Sequence, residues 1–126
     1  MGLTTAGRDF IAGAITGHET TLFSNANARI GIGDSSTAFA ASQTDLVATT
    51  NKLRKGMDAT YPTRSSNQLT FKATFGSAEA NWTWNEWGIF NSTSAGTMLN
   101  RKVENLGTKA SGSTWVLTVT VTITAA

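Results

Sequence analysis

The chain contains no cysteine, a single proline and a single histidine. Without cysteine there is neither a disulfide framework nor a thiolate metal site, so redox compartment leaves no mark and stability must come from packing and hydrogen bonding. The lone histidine, His18, excludes a histidine-rich metal site, and HETTL around it lacks the second histidine of a zinc-protease helix. Charge is scarce as well: charged residues make up 14% of the chain, against roughly 25% in ordinary soluble domains. Thr, Ser, Ala, Asn and Gly fill the gap and leave a hydroxyl-rich, nearly neutral surface. The net charge of +2 is the surplus of ten basic over eight acidic residues and not a basic face, so no nucleic-acid partner is implied. The opening MGLTTAGRDFIAGAITG is too short and too mixed for a signal or spanning helix, because Arg8 and Asp9 interrupt its apolar part. Ala6 also breaks the myristoylation pattern. No membrane partner and no cofactor are expected.

At 126 residues the sequence fits one domain, large enough to bury a core unaided. Residues 4–16 predict a helix: Thr4 or Thr5 caps it, Phe10, Ile11, Ala14 and Ile15 form its apolar stripe, and Gly17 ends it. Ile30 and Ile32 alternate with Gly31 and Gly33 in a short strand that runs into a turn. Residues 35–51 read as a long excursion with one short helical turn at Thr44–Ala48. KLRK at 52–55 concentrates positive charge, and Met57–Tyr61 extends towards a strand that Pro62 breaks. Leu69, Phe71, Ala73 and Phe75 line one face of a strand over 67–75. Ser92–Gly96 turns a hairpin. Over 113–124, Trp115, Leu117, Val119, Val121 and Ile123 face one way while Thr118, Thr120, Thr122 and Thr124 face the other. The sum is a mainly β fold, an antiparallel sandwich or barrel of five to seven strands with one N-terminal helix covering an opening or edge.

Nothing in the sequence assembles a catalytic constellation. No Gly-x-Ser-x-Gly elbow accompanies a serine, and Asp34, Asp45, Asp58, Glu79, Glu86 and Glu104 are scattered singly, without a calcium-loop spacing. GIGD at 31–34 lacks the third glycine of a dinucleotide loop. The chain reads as non-enzymatic, with no catalytic, metal or cofactor residues. Two tripeptides, Asn81-Trp82-Thr83 and Asn91-Ser92-Thr93, match the glycosylation pattern by coincidence.

Three of the four tryptophans fall in NWTWNEWGIFN, residues 81–91. With the basic runs KLRKGM, which holds Arg54 and Lys55, and NRK at 100–102 they would suit a sugar- or single-strand-binding platform. Strand parity divides them, however: Trp82 and Trp84 share a parity that Trp87 does not. Trp87 and Ile89 are therefore expected in the core. Trp82, Trp84, Arg54 and Lys55 become candidates for contact with a neighbouring subunit or partner.

LTTAGRDFIAGAITG, IGIGDSS, TDLVATTNKLRK, NEWGIFNSTSAGTMLNRKV and TWVLTVTVTIT, in this order, resemble the small tailed-bacteriophage virion proteins related to the N-terminal domain of tail-collar fibres. Glu86, Gly88, Ile89 and Phe90 match that family's signature strand, with Trp87 where an aliphatic residue is usual. Asp34 matches its Gly-Asp turn, with Ser35 in place of a frequent glycine. The resemblance implies a virion structural protein, made in the host cytoplasm, that forms a homo-oligomer, a trimer, and contacts other virion proteins of the tail, fibre or major capsid. Fibres of this kind continue into a shaft, whereas here the last alternating strand ends the sequence. That implies a stand-alone tail or fibre-attachment component, with a capsid decoration protein as the alternative.

Overall fold

The structure is a computed structural model that describes residues 2–124. It consists of one helix, α1 (Thr5–Ile15), and eight strands: β1 (Gly2–Leu3), β2 (Arg29–Gly33), β3 (Lys52–Gly56), β4 (Thr63–Ser65), β5 (Gln68–Phe75), β6 (Glu86–Phe90), β7 (Met98–Val103) and β8 (Trp115–Thr122). The strands form a five-stranded sheet in the order β1-β7-β6-β2-β3 and a three-stranded sheet in the order β4-β5-β8. Every pairing is antiparallel. Both sheets are open, so the sandwich holds and the barrel does not. Eight strands exceed the five to seven expected, because β1 and β4 are too short to show a period of their own.

The inner faces follow the alternation in the sequence. Phe71, Ala73 and Phe75 of β5 and Val119 and Val121 of β8 pack against Ile30 and Ile32 of β2, Trp87 and Ile89 of β6, and Leu99 of β7. These side chains hold the two layers together as any sandwich core does, by removing apolar area from water.

Helix α1 starts where a side chain can replace a missing backbone partner. Thr4 Oγ1 accepts the Gly7 N–H at 2.9 Å and donates to the Met98 carbonyl. Its other end is a Schellman turn: His18 N–H reaches Gly13 O, Gly17 N–H reaches Ala14 O, and Gly17 takes φ +74°. Gly7 allows the helix to lie directly on β7, since a Cβ there would stand 2.2 Å from Leu99 O. Only part of the predicted stripe is buried. Phe10 is enclosed, with its ring edge-on to Phe23 at 5.0 Å, whereas Ile15 is 81% exposed because it lies on the last turn, past the sheet.

The outer face of the larger sheet is also covered. Leu46 packs there on Phe90 and Met98, and the 34–51 segment crosses over β6 and β7. All five residues of β6 are consequently buried. The helical turn expected at Thr44–Ala48 is absent, because the N–H groups of Val47 and Ala48 are bonded to the Glu86 carboxylate. The strand expected over Met57–Tyr61 is absent too. β3 occupies the basic run instead and ends at Gly56, and the chain then turns at Thr60, φ +73°. Asn25 holds that turn by donating to the carbonyls of Asp58 and Tyr61.

Candidate functional site

Glu86 and Arg101 sit opposite the inner core, on the covered face of the larger sheet, and both are fully enclosed. Arg101 Nε donates to Glu86 Oε1 at 2.8 Å. The same carboxylate accepts the N–H groups of Val47 at 2.9 Å, Ala48 at 2.8 Å and Ser35 at 3.3 Å. Arg101 uses its remaining nitrogens on Gln43 Oε1 at 3.1 Å and Thr37 O at 2.9 Å. A buried ion pair is tolerable only when its other lone pairs and protons are also bonded, and here the excursion supplies those bonds. Gly33 makes room for it: a Cβ at that position would lie 2.4 Å from Glu86 Oε2. Glu86 therefore lies on the strand the sequence singled out, but as an anchor for the excursion. Arg101, read from the sequence as part of a basic groove with NRK, is instead buried as the partner of Glu86, and Gln43 was not anticipated. The available signal was a carboxylate inside the apolar string EWGIF, which demands a cation on the neighbouring strand.

The tryptophans are distributed differently from their parity. Trp87 is 3% exposed and belongs to the core as expected, and its indole N–H donates to Glu104 Oε1 at 2.9 Å. That bond, helped by Lys102, holds the Glu104 carboxyl below its ordinary pKa against the opposing effect of burial. Trp84 is a core residue too, not an interface residue. It is 2% exposed, donates to Ala80 O, and lies edge-on to Phe75 at 4.9 Å and Trp115 at 5.0 Å. Parity fails because residues 82–85 precede β6 and are not regular strand: Ala80 takes φ +52°, and the chain pairs with 106–109 through bonds such as Trp84 N–H to Gly107 O. Trp82 is half-buried against the core, and its indole N–H has no partner among the described residues.

Arg54 and Lys55 do not form a joint surface, since neighbours on a strand point to opposite faces. Arg54 Nη1 donates to Ser92 O and Ala95 O, each at 2.9 Å, its guanidinium lies 3.7 Å over the Phe90 ring, and Nη2 reaches Asp45 at 3.3 Å. Arg54 thus fastens the β6–β7 turn to the excursion. Beside it is a recess of about 360 Å³ bordered by Asp45, Lys52 and Thr93–Ala95. Burial raises the Asp45 pKa, but bonds from Lys52, the Leu46 N–H and Arg54 outweigh it and leave the group below its usual value. Lys55 is bonded to Glu79 at 2.8 Å; that bond and one from the Gly76 N–H lower the Glu79 pKa.

The other polar residues singled out are spread over the molecule. His18 is exposed just past the helix. Asn91 is buried, with its amide shared between Thr97 N–H and Thr21 O, while Asn81 accepts from the enclosed Lys109 at 2.7 Å. Among the described residues no three histidine, aspartate or glutamate side chains gather to hold a metal ion. Among them, too, no helix is long and apolar enough to cross a membrane.

No protein family matches the chain, and no curated protein is detectably similar to it. The likeness to tail-collar domains rests on the residues quoted for it.

Proposed function

We propose that this chain is a non-enzymatic structural protein of a bacteriophage virion, which self-associates and docks on the particle exterior as a tail or fibre-attachment component. One observation carries the reading. Three of the strings that resemble the tail-collar family meet at one buried ion pair: IGIGDSS through Ser35, TDLVATTNKLRK through Val47 and Ala48, and NEWGIFNSTSAGTMLNRKV through both Glu86 and Arg101. The charged side chains support the same reading, because Glu86, Arg101, Arg54 and Lys109 are engaged in internal fastening.

The test is the copy number of this chain in purified virions, measured by quantitative mass spectrometry against the major capsid protein. A few copies per particle are expected. Abundance close to that of the capsid protein would move the chain to the head shell as a decoration protein, and absence from virions would overturn the proposal. Glycan or oligonucleotide binding lost in Trp82→Ala would instead favour a binding module.

A further inference from the structure

β8 pairs with β5 in unbroken register from Gln68↔Thr122 to Phe75↔Trp115, and among the described residues no strand lies on its other side. Ile123 N–H donates to Asn67 O, which sets the phase of the ladder. The odd-numbered residues of β8 exchange bonds with β5, and the N–H and C=O groups of Val116, Thr118, Thr120 and Thr122 point outward. Among the described residues, no backbone group bonds to those four from the free side.

The other sheet edges carry the features that discourage pairing. β3 holds Lys52, Arg54 and Lys55, while β1 is two residues long and β4 three. β8, WVLTVTVT, has eight residues, no charge, no proline and no bulge. Among the described residues this is the one edge of the sandwich left fit for strand addition.

We infer that the free edge of β8 docks β8 of a second copy of this chain, antiparallel, about a two-fold axis at Val119. The inference shares with the proposed function only the premise that copies associate. Its basis is that the strand is complementary to itself. With Val119 on Val119, Thr118 faces Thr120 and Val116 faces Thr122, so residues with outward-pointing groups meet as bonded pairs. Leu117 then faces Val121, and Trp115 faces Ile123. Threonines and Val116 line one face and apolar residues the other, pairings that stabilise sheets, and no like charges meet. The ends match as well. Ile123 is 38% exposed, and Trp115 and Leu117 border a recess of about 390 Å³ together with Leu106. The pairing brings Ile123 of the second copy to that recess. Two three-stranded sheets become one continuous sheet.

Sedimentation of the full chain tests this. A concentration-dependent dimer is expected. The double variant Thr118→Pro, Thr120→Pro removes two outward N–H groups and leaves the β5 ladder intact. It should keep the circular dichroism of the native chain while the dimer dissociation constant rises about a hundredfold or more. Should the prolines unfold the chain, Thr118→Lys with Thr120→Lys places like charges opposite one another at exposed positions and should have the same effect. Val119→Cys, in a chain with no other cysteine, should oxidise to a covalent dimer, because unbonded antiparallel neighbours lie about 4.5 Å apart at Cα, within disulfide reach. A wild-type monomer, a discrete trimer, a dimer that survives in the folded variants, or failure of Val119→Cys to cross-link would each overturn the pairing. None of these outcomes alters the copy number in virions, which decides the virion proposal; a wild-type monomer would remove from that proposal its self-association alone.

Discussion

Trp84 and Trp87 differ in where their indole N–H goes and not in how deeply they lie. One bonds to the Ala80 carbonyl, the other to Glu104, and both rings belong to the core. Truncating either leaves a large void that its neighbours cannot close. Trp84→Ala and Trp87→Ala are each expected to lower stability by roughly 3–5 kcal/mol in urea unfolding. A near-neutral Trp84→Ala would return that residue to the surface role suggested by its parity. The place of Trp87 was legible because Glu86–Phe90 forms a regular strand with period two. That of Trp84 was not, because the positive φ of Ala80 and the irregular 82–85 backbone break the period before it reaches the strand.

Among the elements, β5 and β8 could be read directly from alternating side chains, and α1 from its threonine cap and terminal glycine. β3 was hidden by its composition: KLRKG shows no apolar alternation because Arg54 lies over Phe90 and Lys55 reaches Glu79. The 35–51 segment could be read as irregular but not as a cover, since bonds that fix it run from its own backbone to a side chain on β6. The carboxylates that join these elements also set a pH dependence. Asp45, Glu79 and Glu104 all titrate below their ordinary values in the folded chain. The unfolded chain therefore takes up protons first as pH falls. Their stabilisation is complete above the unfolded carboxylate values, about 4, and is lost as pH drops through the lower folded values. The thermal midpoint is expected to be nearly level from pH 7 to about 5 and to fall below about pH 4. Glu79→Gln should flatten the part of that fall that comes from the Lys55 pair. A thermal midpoint indifferent to acid would contradict the ion-pair geometry.

At the scale of the molecule, the sandwich has a third partial layer, the excursion, and the buried Glu86–Arg101 pair is the anchor that takes most of its backbone bonds to the sheet. Removing half of that pair leaves a buried charge without a partner, so Glu86→Ala should cost about 3–5 kcal/mol. Replacing both Glu86 and Arg101 by methionine removes the unpaired charge but leaves the Ser35, Val47 and Ala48 N–H groups without their acceptor, so it should recover only part of the loss, measured with Glu86→Met, Arg101→Met and the double variant as a cycle in urea. Simple additivity of the two single substitutions would show that the pair does not act as a unit. The bonds between the pair and the excursion span wide gaps in the chain, from 38 residues for Ala48 to 64 for Thr37. Closing loops of that length is entropically slow, and neither charge is in position until β6 and β7 have paired. The excursion thus has an expected place in time as well as in space: its anchoring bonds can form only once the β6–β7 hairpin has brought Glu86 and Arg101 together, an order that φ-values lower in the excursion than in the hairpin would check.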